Sequence, residues 1–315
     1  MGPSANPLPT IRGLSLEARS SFQVFNTEVQ ITLANWQYAG LLRRAEAYFR
    51  GFEASFSRFE ADSELSRFNR RAHATVPVSP GMLALLAECL GLHRRTAGSF
   101  NPLVIANLEA AGYDASFERL AGRSVQQAAL QAAPPSLQCL ELDAVRHEAT
   151  LPLGLRLDFG GIGKGYAVDQ AASLLSKADG FLIDAGGDIY AAGLAPQGGP
   201  WRVEVANPAA PEETICVVPL SDTAIATSWT TKRRWRVQDG WAHHLIDPRS
   251  GRPAQSGVIG ATVIASTTVE ADVFAKCAVI LGPGLGPAFL ESQAVHGLLV
   301  LSDGSVKRTS GWPAD

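Results

Sequence analysis

Four short runs in this sequence gather residue types that handle charge. The first is Leu157-Asp158-Phe159-Gly160-Gly161-Ile162-Gly163-Lys164-Gly165, where a strand-like pattern runs into glycines and then into a helical pattern. Glycines let main-chain N–H groups come close to a phosphate, a helix start favours anions, and Lys164 adds a positive charge on a long stem. The run is neither a Walker A loop nor a Gly-x-Gly-x-x-Gly fingerprint, and a purely structural turn uses the same glycines. The second run, Asp184-Ala185-Gly186-Gly187-Asp188, places glycines and acids at the end of an apolar strand, where a bulge or hairpin turn explains it equally well.

The third run, from His243 to Pro253, joins an acid/base candidate, His244, to an Asp247-Pro248 turn and to Arg249 and Arg252, which suit phosphate oxygens. A histidine beside a strand is otherwise a packed or surface residue. The fourth spans Ser266 to Gly282. Thr267 and Glu270 have capping-box spacing, and Phe274, Cys277, Ala278 and Leu281 form a buried helical face. Asp272 in its first turns could hold a hard cation such as magnesium. With Lys276 four residues further on, in the acid-first order, it could equally form a helical salt bridge.

The elements that must position these runs follow from periodicity. Alternation predicts a first strand over Gln23 to Leu33 and helices over about Gln37–Phe52, Pro80–Gly98 and Lys164–Ser176. Phe56 to Asn69 reads as an ordered loop. Further strands are expected at Leu137–Leu142, Leu155–Leu157, Gly180–Asp184, Trp201–Val205, Ala224–Thr227, His243–Ile246 and Ala261–Ala265. The Ala-, Gln- and Pro-rich stretch from Tyr113 to Pro135 reads as a surface excursion. Hairpin-like strand pairs mixed with isolated helices predict an α+β fold with mixed or antiparallel sheets, not a doubly wound parallel one. Residues 1–20 read as an N-terminal extension and 21–315 as one domain.

With 315 residues, 46% of them hydrophobic, the chain can bury a sizeable core. A net charge of −3 with both signs interspersed gives no footprint for nucleic acid or an anionic membrane. Cys89, Cys139, Cys216 and Cys277 are far apart and read as reduced thiols. No signal-peptide pattern and no span-length apolar stretch is read from the sequence, so a cytoplasmic location is expected.

Taken together, the runs resemble the FAD:protein FMN transferase (ApbE-like) family in order and spacing. Phe25-Asn26-Thr27, Ser57-Arg58-Phe59, Asp62 to Asn69 and Ser99 to Leu103 extend the match over roughly residues 22 to 282. The resemblance implies an α+β fold with FAD in a cleft between lobes, and transfer of FMN from FAD to a Ser or Thr of a target protein. It implies an adenine-side Asn69, a phosphate-loop Lys164, catalytic His244 and Asp272, and Mg2+ held by Asp272 and the Gly161 carbonyl. Gly160, Asp169, Gly186, Gly187, Asp188, Ser228, Asp247 and Lys276 complete the expected FAD contacts.

Two departures bear on catalysis. Lys276 stands where the family has a metal-holding Thr; an ammonium has three donors and no acceptor, so it cannot replace that ligand but could occupy the cation position. Trp229-Thr230-Thr231 replaces a tight Gly-Asp-Tyr, so Trp229 either packs or covers a ligand face. A metal-independent FAD binder, a hydrolase yielding FMN and AMP, and an interaction scaffold are the alternatives left open.

Overall fold

The computed structural model describes residues 17–113, 124–125, 132–237 and 240–313. Its frame is an antiparallel sheet of eight strands: β1 (Ala18–Val24), β2 (Thr27–Leu33), β3 (Gly180–Ala185), β4 (Asp188–Gly193), β5 (Thr223–Trp229), β6 (Val258–Ala265), β7 (His296–Leu301) and β8 (Val306–Arg308). They lie side by side in chain order, each antiparallel to the next. Among the described residues six helices are inserted between them: α1 (Gly40–Phe56), α2 (Glu64–Arg70), α3 (Pro80–Arg95), α4 (Ile105–Ala110), α5 (Gly163–Leu175) and α6 (Thr268–Ser292). The expected α+β class with antiparallel sheets is borne out.

Several boundaries differ from the sequence reading, each for a local reason. The strand expected over Gln23 to Leu33 is a hairpin, because Phe25 and Asn26 take φ of 56° and 55° and reverse the chain. Two left-handed residues in a row are what a tight hairpin turn of this kind requires. Phe25 is held in that conformation by its N–H, which donates to Glu53 at 2.7 Å, and by edge-on packing against Phe49 and Phe52. The stretch expected as loop contains α2, started by the Ser63 hydroxyl, which accepts from the Ser66 N–H at 3.0 Å. The strand expected over His243 to Ile246 ends at His243, and Ile246–Asp247 pairs separately with Arg252–Pro253. Leu137–Cys139 is a 3-10 turn before a short strand, Glu141–Asp143, and Leu155 to Leu157 is not in a strand. Most of the expected excursion from Tyr113 to Pro135 lies outside the described residues.

Strand alternation buries both faces of the sheet. On one face Ile31, Ile183, Ala224, Ala226, Ala261 and Val263 meet α1, α5 and α6 in the main core. On the other, Ile189, Ala191, Ile225, Ile264 and Val300 meet Trp201, Val203 and Val218 of the hairpin Trp201–Asn207 with Ala210–Leu220. A small third cluster joins Leu108 and Tyr113 to Trp235 and Ile246.

The expectation that no stretch reaches span length is overturned for α6, which meets that criterion by length and composition. In this fold its apolarity serves the core, with Val273, Phe274, Cys277 and Ala278 fully buried on the alanine-rich sheet face. Gly282 kinks it at φ 81°, a conformation that favours glycine, and Pro283 starts the second half.

The N-terminus of α6 is locked against α5. Asp169 accepts from the main-chain N–H groups of Thr268 (2.7 Å) and Val269 (2.9 Å), and Thr267 caps the same turn by accepting from Glu270 N–H at 3.2 Å. The capping box is half formed, since the Glu270 carboxylate goes to Ser266 and Arg95 instead. Close approach needs Gly165, where a Cβ would lie 2.8 Å from the Thr268 carbonyl oxygen. Hydrogen bonds to an ionised, largely buried carboxylate are worth about 1.5–3 kcal/mol each. Asp169→Asn is therefore expected to lower the unfolding free energy by about 2 kcal/mol, read by urea denaturation.

Candidate active site

The glycine run leaves the frame as a tight loop. Phe159 O accepts from Ile162 N–H (3.0 Å) and Gly163 N–H (2.7 Å), which turns the chain directly into α5. Upstream, Asn69 fixes the entry: its amide oxygen accepts from Leu157 N–H at 2.8 Å and its amide nitrogen donates to Leu157 O at 2.9 Å. Arg58 braces the same segment, 3.5 Å from Asp158 and over the rings of Phe59 (4.2 Å) and Tyr113 (5.2 Å). Lys164 then emerges in the first turn of α5.

Two chambers of about 620 and 630 Å³ open on either side of this loop. Aromatic residues dominate one wall of the first, including Phe56, Phe59, Phe100 and Tyr113. The second is lined by Gly186, Gly187, Ser228, Trp229 and Asp272, with strand residues Val203 to Ala206. Six residues belong to both: Asn26, Gly160, Lys164, Arg233, His244 and Lys276. Every charged residue at this shared waist is a cation.

Carboxylates hold two of those cations. Lys164 Nζ donates to Asp188, which is 1% exposed at the start of β4, and Lys276 Nζ donates to Asp272 on α6. Burial opposes the Lys164 charge, but the fields of Asp188 and then Asp272 hold its pKa above the ordinary lysine value. Arg233 has no carboxylate within ion-pair distance among the described residues. The waist is thus left with positive charge for an incoming anion.

His244 is held differently. Its Nδ1 lies 3.3 Å from the Arg233 carbonyl oxygen, which can only accept, so Nδ1 carries the proton and Nε2 presents a lone pair. Burial, followed by the charge of Arg233, pushes its pKa well below 6.5, so the ring is neutral at pH 7. A neutral imidazole on the waist is a proton acceptor.

The structure brings together Gly160, Gly161, Lys164, Gly186, Gly187, Ser228, His244, Asp272 and Lys276 along the cleft. Asn69, Asp169, Asp188 and Asp247 line neither chamber. Asn69 and Asp188 act through Leu157 and Lys164, Asp169 through α6. Asp247 pairs with Arg249 at 2.9 Å and shapes the turn to Gly251. Trp229 lines the second chamber, with Lys232 Nζ 5.6 Å from its ring centre and its own Nε1 buried without a partner. Arg233, to which the sequence reading assigns no role, lies in a basic run after β5. The expected reduced thiols are free cysteines, and burial holds Cys277 up to about 12.

Fold and cleft define an α+β protein with an elongated site, aromatic at one end and cationic at its waist. The ApbE family model matches residues 25–299. The chain is 29% identical to the FAD:protein FMN transferase of Haemophilus influenzae over 278 residues, covering 84% of this chain and 80% of that one. It is 28% identical to that of Salmonella typhimurium, covering 80% and 74%. Among solved structures, the ApbE protein of Thermotoga maritima superposes with a TM-score of 0.85 at 23% identity over 93% of this chain and 97% of that one. The apo flavinyl transferase ApbE of Pseudomonas stutzeri gives 0.81 at 22%, over 93% and 95%. The chain belongs to the ApbE family.

The depressed pKa of His244 has a stability consequence. As pH falls through about 6.5 the unfolded chain takes up a proton that the folded ring refuses, so stability present above that pH is lost below it. Between pH 7.5 and 5.5 urea denaturation is expected to show wild type losing up to about 1.4 kcal/mol more than His244→Gln. Equal losses in the two proteins would mean that the ring protonates freely.

Proposed function

We propose that this chain is a FAD:protein FMN transferase, moving FMN from FAD to a Ser or Thr hydroxyl of a target protein and releasing AMP. The observation that carries the reading is the cationic waist between two chambers: FAD is two ring systems joined by a pyrophosphate, and Lys164, Arg233 and Lys276 stand where the chambers meet. The names of the relatives support the same activity.

In the transfer the hydroxyl oxygen bonds to the FMN-side phosphorus as the bridging P–O bond to AMP breaks. The hydroxyl proton leaves to Nε2 of His244, whose Nδ1 is fixed on Arg233 O. Charge that builds on the phosphate oxygens and on departing AMP meets Lys164, oriented by Asp188 before reaction, and Arg233 beside it on the waist. Asp188 keeps Lys164 in place and charged. Walled by aromatic residues, the first chamber suits a ring system, and Asn69 and Arg58 brace the Leu157–Asp158 segment beside it.

The magnesium expected from the family resemblance does not fit the residues present. Asp272 Oδ1 is occupied by the Lys276 ammonium, which offers a metal no lone pair. No step above uses a metal.

Incubation with FAD and a lysate of the source cells is expected to release AMP, read by chromatography, and to leave flavin fluorescence on a protein band after denaturation. Lys164→Met is expected to slow both about 100-fold or more. AMP with free FMN and no labelled band would make the chain a hydrolase; neither product would remove the enzymatic reading.

A further inference from the structure

We infer that Lys276 is the built-in cation of this site, and that the chain binds the FAD pyrophosphate without a divalent metal. The inference rests on the reading of the cleft as an FAD site. Three observations place the lysine. Its Nζ donates to Asp272 Oδ1 and lies 3.3 Å from the Asp272 main-chain oxygen. Its Cδ and Cε each lie 3.9 Å from where a Cβ on Gly161 would be, so the stem passes along the glycine loop. Its side chain is 14% exposed and lines both chambers, so the head reaches the waist and not the outer solvent.

The stem therefore runs between Gly161 and Asp272, the two positions from which a metal would be held. An ammonium and a magnesium ion cannot share this ground. Lysine offers donors and no lone pair, so it cannot enter a coordination shell, and a dication on Asp272 would sit against a fixed positive charge. The remaining Asp272 oxygen, Oδ2, is buried without a hydrogen-bond partner, and a dication on it would have to lie beside the ammonium already bound to Oδ1.

What the lysine supplies is what a phosphate needs from a cation: positive charge and hydrogen-bond donors aimed at its oxygens. The i,i+4 placement on α6, acid first, sets the pair before ligand arrives. Asp272 thereby becomes a positioning residue for Lys276, as Asp188 is for Lys164. The waist repeats one device twice, a buried carboxylate holding a lysine head toward the ligand.

Calorimetric titration of flavin-free protein with FAD, in EDTA and then in millimolar MgCl2, separates the possibilities. Affinities equal within about twofold are expected for wild type. Lys276→Thr, which removes the cation and restores a hydroxyl, is expected to bind at least about tenfold more weakly in EDTA and to recover with magnesium. Lys276→Arg should stay indifferent to the metal. Wild-type binding that strengthens tenfold or more with magnesium would overturn the inference and leave the FAD site standing. No FAD binding under either condition would remove the FAD reading and the inference with it. If the Thr variant does not fold, the wild-type comparison decides alone.

Discussion

Burying four charges in one place is the constraint around which this structure is arranged. Lys164, Asp188, Asp272 and Lys276 are all withdrawn from water, and each would be costly there by itself. They are tolerable only as two pairs set close enough for each carboxylate to feel both lysines. That arrangement dictates where the first turn of α5, the start of β4 and the early turns of α6 must meet. Asp169 on the α6 N-terminus, with Gly165 allowing the helices to touch, fixes that meeting independently of any ligand. The scaffold thus carries the cost of desolvation before an anion arrives.

The same constraint explains why the most polar part of the site is braced on several sides. Asp188 sits at the head of a central strand, and the glycine pair before it turns the chain with φ of 68° and 98°. A Cβ on Gly186 would run into the Thr27 side chain. The first hairpin therefore supports the second, and both support Lys164. Recognition groups carried this way need little reordering on binding, which leaves interaction energy for the reacting phosphate.

Much of this was legible in the sequence, and the residues show where legibility stops. The glycine run, Lys164 and the Asp272–Lys276 spacing announce their roles because the chemistry lies within one turn or one loop. The α+β class follows from local alternation and is confirmed by the ladder pairings. Asn69 and Asp169 are different: each reads as a polar side chain near a motif, while its partners lie 88 and about 100 residues away, on Leu157 and at the start of α6. Family resemblance marked both as ligand-facing, whereas tertiary packing turned both toward backbone. Arg233 was missed for the opposite reason, since a basic run carries no sign that one of its members will be drawn under a histidine. The first hairpin is not visible in the sequence because a phenylalanine seldom takes φ > 0, and Glu53 and the neighbouring rings, which hold it there, are distant in sequence.

The order of the strands has a consequence for how the chain reaches this state. Neighbours in the sheet are neighbours in sequence, yet β2 meets β3 only after residues 34–179 have left and returned. Loop-closure entropy grows only logarithmically with length, so the detour costs little at equilibrium. Its burden is temporal. Until that seam closes, β2 and β3 present unpaired edges side by side with a half-built core, and such edges invite pairing with another chain. The long excursion that carries Asn69, Arg58 and the glycine loop to the cleft is also the interval during which a newly made molecule is most exposed to aggregation.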